Sequence, residues 1–392
     1  MERGSFQLMK SVNKSLVLNK IRINQPISRA QIAKDTKLTP PTVSSIVREL
    51  IAEELVIESV LGESQGGRKP TMLLINDDAF YVIGVEAGPD KMSCTACNLA
   101  GKVIERTDAT SIAAPISKEQ FLSDMIGKIQ SVLDALPEPD KVLGIGVAMH
   151  GVVDVDKGLS LVAPNLDLRD IPVADVLEER FNTIVKVEND VRAMALGESW
   201  FSAGQHKGSM LMVNMDSGVG AGLVIDGKLY HGAADLAGEV GHMTIDLNGE
   251  VCSCGNKGCF QTFASEQAVV ERAKAEKRKQ GPITEDQLTI YDIHKQAATG
   301  DEVFAQVLRE TGHIIGVALT NLIHVINPDC IILGGSVSRT ESIILPEITH
   351  TIEERGLTQE AKATKVTTAS FGENATTMGA ASLLLTELFE GQ

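Results

Sequence analysis

Apolar residues recur at the spacing of an α-helix in three short segments near the N-terminus. The first segment covers residues 15–23 and stops before Pro26, which cannot continue a helix. The second starts after Ser28, a suitable N-terminal cap, and the third starts after Thr39, which precedes two prolines of the kind tolerated in a first helical turn. This pattern predicts three short helices. Their apolar positions are Leu16, Ile23, Ile32, Ala33, Val43, Ile46, Val47 and Leu50.

A pattern of two strands follows the third helix. Residues 55–76 contain two apolar runs around the glycine-rich tip GESQGGRKP, which is typical of a β-wing. A short helix, a turn and a second helix led by small polar residues form a helix-turn-helix, whose second helix enters the major groove of DNA. The sequence therefore predicts a winged helix-turn-helix domain over residues 1–75. The residues expected to contact DNA are Thr39, Thr42, Ser44, Ser45, Arg48, Arg68 and Lys69.

Charge is divided unevenly along the chain. Residues 1–75 contain 11 Lys or Arg and 7 Asp or Glu, a balance of +4, so the other 317 residues carry −20 and the whole chain carries −16. A basic N-terminal domain on an acidic body favours phosphate binding by that domain alone. Three helices of this kind also occur in protein-interaction modules, and this alternative is distinguished by an absence of salt-dependent DNA binding.

From Tyr81 onwards, strand and helix patterns alternate. Three short strand patterns, a helix over residues 118–135 and the glycine-rich strand VLGIGVAMHGVVD come first, and a second glycine-rich turn follows at residues 216–222. A long apolar helix, VFAQVLRETGHIIGVALTNLIHVI, precedes the buried strand pattern CIILGG. Helices between strands, together with the glycine-rich strand ends, thus indicate an α/β protein with a cleft, whereas periodicity alone indicates only the α/β class.

Length and composition are those of a globular protein of two to three domains. The chain has 392 residues, of which 43% are hydrophobic and 22% are charged. No segment has the ~20 consecutive apolar residues of a membrane span, and the N-terminus MERGSFQLMK lacks the apolar core of a secretory signal, so we expect a cytoplasmic protein. Cys94 and Cys97 fall on opposite faces of a predicted strand, and Cys330 falls in a buried strand; all three are interpreted as core residues.

The other three cysteines belong to a candidate metal site. His242, Cys252, Cys254 and Cys259 fall within 18 positions and are separated by nine, one and four residues. Three thiolates and one imidazole make a closed tetrahedral set for structural Zn²⁺, with no position left for a reacting water. Glycines at 255 and 258 permit the tight turns of a metal knuckle. The alternatives are chance proximity and a disulfide, and the spacing favours the metal site over both.

The run LAGE-x-GH followed by CxCGxxGC resembles the signature of the ROK group of bacterial repressors and sugar kinases. The segment SRAQIAKDTKLTPPTVSSIVREL followed by GGRKP is similar to the DNA-binding domain of the repressors, which the kinases lack. The resemblance covers essentially the whole chain. It implies a duplicated, two-lobed actin-like (ribonuclease H-like) sugar kinase fold with a zinc knuckle. The implied domains are a DNA-binding domain over 1–75, a first α/β lobe over 76–205 on which 376–392 packs, and a second lobe over 206–375 that carries the zinc-binding insertion.

The same resemblance implies a sugar site made of polar residues at the ends of predicted elements. Its residues would be Asn165, Asn189, Asp190, Glu239 and His242. Each of them alone is also consistent with a helix cap or a surface position. His242 would bind zinc through one ring nitrogen and the sugar through the other. The chain departs from the family pattern at two candidate positions that bear on sugar specificity, because His150 stands where a proline is usual and Gln261 where a glutamate is usual.

Asp190 stands where a ROK kinase has its general base, so the resemblance leaves phosphoryl transfer open. The phosphate-binding loops oppose it. Where the kinases have DxGGTK, this chain has EAGPDK, in which Pro89 lacks an N–H donor and Asp90 adds a negative charge. The second loop, usually GTGVG, begins here with DSG and so adds the carboxylate of Asp216. We therefore expect a pocket that binds a sugar without phosphorylating it.

The sequence predicts a sugar-responsive transcriptional repressor. We expect it to bind an inverted-repeat operator in double-stranded DNA as a homodimer or a dimer of dimers, because one helix-turn-helix reads too few bases. Sugar binding would close the lobes, change the separation of the DNA-binding domains and weaken operator binding. Within the family, the chain is most similar to the xylose repressors of Gram-positive bacteria, which implies xylose, or else glucose, as the effector. The alternative is an ATP-dependent sugar kinase with an appended DNA-binding domain.

Overall fold

The computed structural model describes residues 12–61, 70–112, 114–201, 208–281 and 288–391. These residues form two compact units. The first contains the described residues of 1–193, 200–204 and 376–392, and the second contains those of 194–199 and 205–375. Within the described ranges, no helix is long and apolar enough to cross a membrane.

The N-terminal part of the first unit consists of helices and a small antiparallel sheet. Its elements are Val12–Asn24 (α1), Ile27–Ser28 (β1), Arg29–Thr36 (α2), Pro40–Ala52 (α3), Val56–Leu61 (β2) and Thr71–Ile75 (β3), with the strand order β1-β3-β2. The side chains of Ser28 and Thr39 accept hydrogen bonds from the backbone N–H groups of Gln31 and Thr42. Both predicted caps are therefore confirmed, and with them the starts of α2 and α3.

The buried face of α1 excludes two of its apolar residues. Val17, Leu18 and Ile21 are buried, whereas Leu16 is 44% exposed and Ile23 is 63% exposed. A short helix with apolar residues on two sides has two possible core faces, and the packing of α1 against α2 and α3 selects one of them. The apolar positions of α2 and α3 are buried as predicted.

An α/β domain makes up the rest of the first unit. Its strands are Tyr81–Ala87 (β4), Lys91–Asn98 (β5), Val103–Arg106 (β6), Thr110–Ser111 (β7), Val142–Met149 (β8), Val152–Asp154 (β9), Leu159–Ala163 (β10), Leu168–Ile171 (β11) and Ile184–Asn189 (β12). Its helices are Lys118–Ala135 (α4), Val173–Phe181 (α5), Asp190–Phe201 (α6) and the C-terminal helix Ala375–Glu390. Residues 194–199 of α6 and Ala375 are the parts of these helices that belong to the second unit. The main sheet has the order β12-β8-β4-β5-β6, in which β12, β8 and β4 are parallel and β5 and β6 are antiparallel.

Strands β4 and β8 are buried along their whole length because helices cover both faces of the sheet. Phe121 and Met125 of α4 belong to the core on one face. On the other face the C-terminal helix approaches so closely that a β-carbon on Gly146 would lie 1.9 Å from the carbonyl oxygen of Ala380. The parallel strands β8 and β12 end at the same edge of this sheet, and the polar residues that follow them lie at that edge.

The second unit contains a sheet with the same strand order. Its strands are Ser209–Met215 (β13), Val219–Ile225 (β14), Lys228–Leu229 (β15), Cys330–Gly334 (β16) and Lys365–Thr368 (β17). Its helices are Gln261–Ala264 (α7), Glu266–Arg278 (α8), Ile290–Ala298 (α9), Glu302–Ile326 (α10), Glu341–Arg355 (α11) and Gln359–Lys362 (α12). In the order β15-β14-β13-β16-β17, strands β13, β14 and β15 pair antiparallel, and β16 and β17 are parallel to β13. Short 3-10 helices in the two units are Pro139–Lys141, Pro164–Leu166, Val240–His242, Val337–Thr340 and Gly372–Asn374.

The three cysteines interpreted as core residues are buried. Cys94 and Cys97 lie in β5 and Cys330 lies in β16. Burial raises the pKa of Cys94 and of Cys97 to about 12, so both thiols stay protonated at neutral pH. The interpretation as core residues is confirmed, and so is the mixed α/β class.

Candidate functional site

Three cysteines and one histidine come together in the segment between β15 and α7. The ligand atoms of His242, Cys252, Cys254 and Cys259 all lie within 4.8 Å of one another. The Cys254 and Cys259 sulfurs are 3.7 Å apart, and His242 Nδ1 is 3.7 Å from Cys252 Sγ. A disulfide requires about 2.05 Å between sulfurs. Metal–sulfur bonds of about 2.3 Å at tetrahedral angles place sulfurs about 3.8 Å apart. The spacing therefore fits a tetrahedral metal ion.

The backbone of this segment is folded tightly. Thr244 and Cys259 pair as an isolated β-bridge. Gly255 and Gly258 both have positive φ, and a β-carbon on Gly258 would lie 1.5 Å from the carbonyl oxygen of Asp246. Only glycine fits at that position, as expected for a knuckle that turns its ligands inward.

Ionisation of one thiol in this cluster disfavours ionisation of another. Burial disfavours the Cys252 thiolate, but hydrogen bonds from Cys254 and His242 outweigh burial and lower the pKa of Cys252 to about 6. Burial, together with the neighbouring thiols of Cys254 and Cys252, raises the pKa of Cys259 to about 12. A second thiolate here requires a compensating positive charge, which a divalent metal supplies.

Gln261 lies beside the same sulfurs. Its Nε2 donates to Cys252 Sγ at 3.1 Å and to Ser253 Oγ at 3.2 Å. From the sequence, Gln261 stands out only as a departure from the family pattern that bears on sugar specificity. In the structure its side-chain amide donates a hydrogen bond to Cys252, one of the candidate metal ligands, and this hydrogen bond stabilises the thiolate.

The two ring nitrogens of His242 have different neighbours. Nδ1 is the nitrogen near Cys252, and Nε2 lies 4.0 Å from Glu239 Oε2. Glu239 is exposed and immediately precedes the 3-10 helix Val240–His242. This geometry leaves Nδ1 for a metal and places Nε2 beside Glu239. The sugar contact that the resemblance implies for the second ring nitrogen stays a prediction.

In the first unit, a buried ion pair anchors the turn from β12 into α6. Glu188 Oε1 accepts from Arg192 Nε at 2.7 Å, and both side chains are at least 97% buried. The same oxygen accepts from the backbone N–H of Asn189 at 2.6 Å. A carboxylate that holds both sides of the turn fixes the positions of the residues at its apex.

Asn189 uses its whole amide at this apex. Its Oδ1 accepts the N–H groups of Val191 and Arg192, each at 3.1 Å, and so caps α6. Its Nδ2 donates to Asp190 Oδ1 and to the Gly151 carbonyl oxygen, each at 3.0 Å. Two acceptor and two donor contacts engage the amide fully, so in this structure Asn189 positions Asp190.

Asp190 faces His150, the residue that follows β8. Asp190 Oδ2 lies 3.5 Å from His150 Nδ1, and Asp190 Oδ1 accepts the Val191 N–H at 2.8 Å. Burial of the ring lowers the pKa of His150, but the hydrogen bond and charge of Asp190, with smaller contributions from Asn165 and Asp90, outweigh burial and raise it. The structure therefore brings Asn165, Asn189 and Asp190 together and adds His150 to them.

The hairpin between β4 and β5 is the loop compared above with the kinase phosphate loop. Glu86 is buried, its Oε1 lies 3.2 Å from Lys91 Nζ and its Oε2 accepts from Ser93 Oγ at 2.9 Å. The Gly88 N–H donates to the Lys91 carbonyl oxygen at 2.9 Å. Asp90 is exposed at the turn. The lysine and a backbone donor of this loop are thus engaged within the hairpin.

Helix α3 has one polar and one apolar face. Its buried residues are Val43, Ile46, Val47 and Leu50. The predicted DNA-contacting residues of the helix are exposed or partly exposed; they are Thr39, Thr42, Ser44, Ser45 and Arg48. Arg68 and Lys69 lie outside the described residues.

One contact of the N-terminal helices has no counterpart in the sequence patterns. The guanidinium carbon of Arg22 in α1 lies 3.8 Å from the ring centroid of Trp200 in α6 and 5.6 Å from that of Phe389 in the C-terminal helix. The two rings are 5.8 Å apart. Trp200 is the single tryptophan of the chain, which is the one sequence signal that could have drawn attention to it.

Comparison with known proteins identifies relatives along the whole chain. The sequence model of the ROK family matches residues 82–387. The chain is 33% identical to the xylose repressor of Caldicellulosiruptor bescii over 98% of each protein. The crystal structure of a ROK family transcriptional regulator, a homologue of the E. coli MLC protein, gives a TM-score of 0.87 at 28% identity and covers 98% of this chain and 97% of its own. A ROK family glucokinase from Streptomyces griseus, in complex with glucose and AMPPNP, gives a TM-score of 0.68 at 28% identity and covers 77% of this chain and 98% of its own.

Proposed function

This chain belongs to the ROK family, and from that premise we propose that it is a transcriptional repressor that binds operator DNA and releases it when a sugar binds. The observation that carries the proposal is an N-terminal domain with an exposed polar helix face, on a chain similar to repressors over nearly its full length. The repressor similarity favours xylose as the effector, with glucose as the next candidate. The expected assembly is a homodimer or a dimer of dimers, which matches an inverted-repeat operator.

The N-terminal domain is proposed as a winged helix-turn-helix. Helices α2 and α3 supply the two helices of the motif, and β2 and β3 supply the wing. The exposed hydroxyls at the start of α3 and the guanidinium of Arg48 are donors suited to base edges and phosphates. Arg68 and Lys69 remain predicted contacts of the wing tip.

Arg48→Ala is expected to weaken operator binding by roughly 5- to 150-fold if Arg48 contacts a guanine, and to lower the salt slope by about 1 if it contacts a phosphate. Fluorescence anisotropy of a labelled operator at several salt concentrations measures both quantities. Lys279→Ala is the matched control, because it removes the same charge from an exposed position on the other unit. An unchanged affinity and salt slope for Arg48→Ala would remove this residue from the DNA interface.

The sugar-binding residues are proposed in two groups. In the first unit they are Asn165, Asn189 and Asp190, with Asn189 acting through Asp190. In the second unit they are Glu239 and His242. Carboxylates, amides and an imidazole are the rigid hydrogen-bonding groups that sugar hydroxyls require. The family similarity supports this set together with the contacts described above.

The metal site is proposed as a structural zinc site. His242 Nδ1 and the sulfurs of Cys252, Cys254 and Cys259 would hold the ion, and their mutual distances fit a closed tetrahedral shell. Zinc would supply cross-linking of this segment and compensate its thiolate charge. Through Nδ1 it would also fix the ring of His242 with Nε2 beside Glu239.

The alternative function is an ATP-dependent sugar kinase with an appended DNA-binding domain. Against it stand Pro89, which lacks an N–H, the exposed carboxylate of Asp90, and the pairing of Lys91 with Glu86. Nucleotide phosphates would meet negative charge where the kinases offer donors. Coupled assays of ADP formation with ATP and a panel of aldoses test this alternative, and we expect no sugar-dependent turnover.

A further inference from the structure

His150 occupies a position where strand ends converge. It follows β8 directly, and its backbone N–H donates to the carbonyl oxygen of Ala87 at the end of β4. Its ring reaches Asp190 through Nδ1 at 3.5 Å. The other ring nitrogen, Nε2, is buried and has no partner at hydrogen-bonding distance and angle among the residues that the structure describes, and Asn165 lies beside the ring. A buried polar atom without a partner is costly, so a ligand that supplies one gains affinity.

We propose that His150 contacts the sugar directly and contributes to specificity, with Nδ1 held by Asp190 and Nε2 binding one sugar hydroxyl. The inference rests on the proposed function, since it assigns a further residue to the same pocket. It also gives Asp190 a role that differs from that of a general base, namely to orient the His150 ring. Its Oδ1 already accepts from Asn189 and Val191, and its Oδ2 faces the imidazole. In this arrangement Asp190 orients the ring and accepts hydrogen bonds.

Two amide substitutions separate the two nitrogens of His150. The side-chain amide of Asn reaches about as far as Nδ1, and that of Gln reaches about as far as Nε2. His150→Asn therefore keeps a partner for Asp190 and loses the sugar contact, whereas His150→Gln keeps a donor near the sugar. Calorimetric titration of both variants with xylose, with glucose and with deoxy analogues of the tighter-binding sugar measures the contact. Operator binding without sugar reports whether each variant is folded.

We expect His150→Asn to weaken sugar binding by about tenfold or more and His150→Gln to weaken it less. In His150→Asn, the deoxy sugar that lacks the contacted hydroxyl should bind as tightly as the parent sugar, because the contact is already lost. The role of His150 would be overturned if both variants bound the sugar with an affinity within twofold of the wild-type value. It would also be overturned if every deoxy sugar lost the same further affinity in His150→Asn. If the wild-type protein binds no aldose at all, the proposed function itself fails.

A second observation concerns the contact of α1 with the rest of the first unit. Arg22 stacks on Trp200 and lies near Phe389. Trp200 is 7% exposed, and burial lowers the pKa of the Arg22 guanidinium against the opposing charge of Glu390. The same helix that ends near Trp200 begins at Asp190. Ten helical steps of about 1.5 Å separate them, a rigid connection of about 15 Å.

We infer that α6 transmits sugar binding to the DNA-binding domain through the stack of Arg22 on Trp200. This inference also rests on the proposed function, because it concerns regulation by the sugar. Asp190 is proposed to contact the sugar, so a shift of the first turn of α6 moves Trp200 at its other end. A planar guanidinium on an indole ring is sensitive to such a shift, because the attraction depends on the position over the ring face.

The coupling factor tests this inference. It is the ratio of operator Kd with saturating sugar to operator Kd without sugar. It should be measured for Arg22→Met, Arg22→Lys, Trp200→Leu and the double variant Arg22→Met/Trp200→Leu. Arg29→Met is the matched control, because it removes the same charge from the N-terminal domain and its ion-pair partner is Glu58 of that domain. Circular dichroism verifies folding, and Arg22→Lys provides a test that retains the charge.

We expect the factor to fall to within about twofold of unity in Arg22→Met, with no further fall in the double variant and no change in Arg29→Met. The coupling factor of Arg22→Lys should lie between that of the wild type and that of Arg22→Met. If the factor in Arg22→Met equals that of the wild type, the inference is overturned even if the operator affinity changes. A wild-type factor of one with every aldose would overturn the proposed function instead.

Discussion

Cys254→Ser is expected to remove bound zinc and to lower the free energy of unfolding of the second unit by more than about 4 kcal/mol. Cys254 is the exposed cysteine of the cluster, so the exchange of sulfur for oxygen disturbs little packing. The loss should therefore come from the metal. Elemental analysis of the purified protein measures zinc content, and denaturant unfolding measures stability.

Two comparisons isolate the metal in this experiment. A chelator should lower the stability of the wild-type protein towards that of Cys254→Ser and leave the variant unchanged. Cys330→Ser is the control for zinc content, because Cys330 is buried in β16 and should affect stability without affecting metal binding. A wild-type protein that contains no zinc, or a variant that retains it, would contradict the assignment of the four ligands.

Asp190→Ala is expected to weaken sugar binding by roughly 100-fold, because it removes a charged hydrogen-bond acceptor. It also frees the His150 ring and the Nδ2 of Asn189, which both contact this carboxylate. Operator binding without sugar should persist, and sugar at concentrations that release the wild-type protein should fail to release the variant. Calorimetry and operator anisotropy measure the two effects.

Asp190→Asn separates the helix cap from the charge. It retains an oxygen for the Val191 N–H and should lose less affinity for the sugar than Asp190→Ala. Asp140→Ala, at an exposed position of the same unit, is the matched control for loss of one negative charge. Release of DNA by Asp190→Ala without any sugar would show that Asp190 stabilises the operator-binding state instead of sensing the effector.

Local features of the fold could be predicted because their causes are local. Ser28 and Thr39 cap the helices that they precede, since a cap depends only on the next three residues. The three-residue spacing of Cys94 and Cys97 on a strand is also a local feature, and it correctly argued against a paired CxxC site, because the two side chains point to opposite faces and both are buried. The clustering of His242, Cys252, Cys254 and Cys259 was also predictable, because all four lie in one short segment.

Contacts between distant segments could not be predicted in this way. Arg22 and Trp200 are separated by 178 positions, and neither residue has a pattern that names the other. The buried face of α1 was not determined by its own periodicity, so the exposure of Leu16 and Ile23 depends on the packing of α2 and α3. The contact of Gln261 with Cys252 is close in sequence, but it depends on how the segment folds back on itself, which the spacing of the cysteines does not indicate.

We expect this chain to release DNA when it binds a sugar and to leave the sugar unphosphorylated. The most direct test is one titration of xylose, and then of glucose, into the protein bound to a labelled operator obtained by selection, with ATP and magnesium present. Operator anisotropy and ADP formation are recorded together. We predict that the operator Kd rises by about tenfold or more, within the usual range of allosteric coupling, and that ADP does not accumulate. An operator affinity that is indifferent to every aldose, or rapid ADP formation whenever sugar is added, would contradict the account.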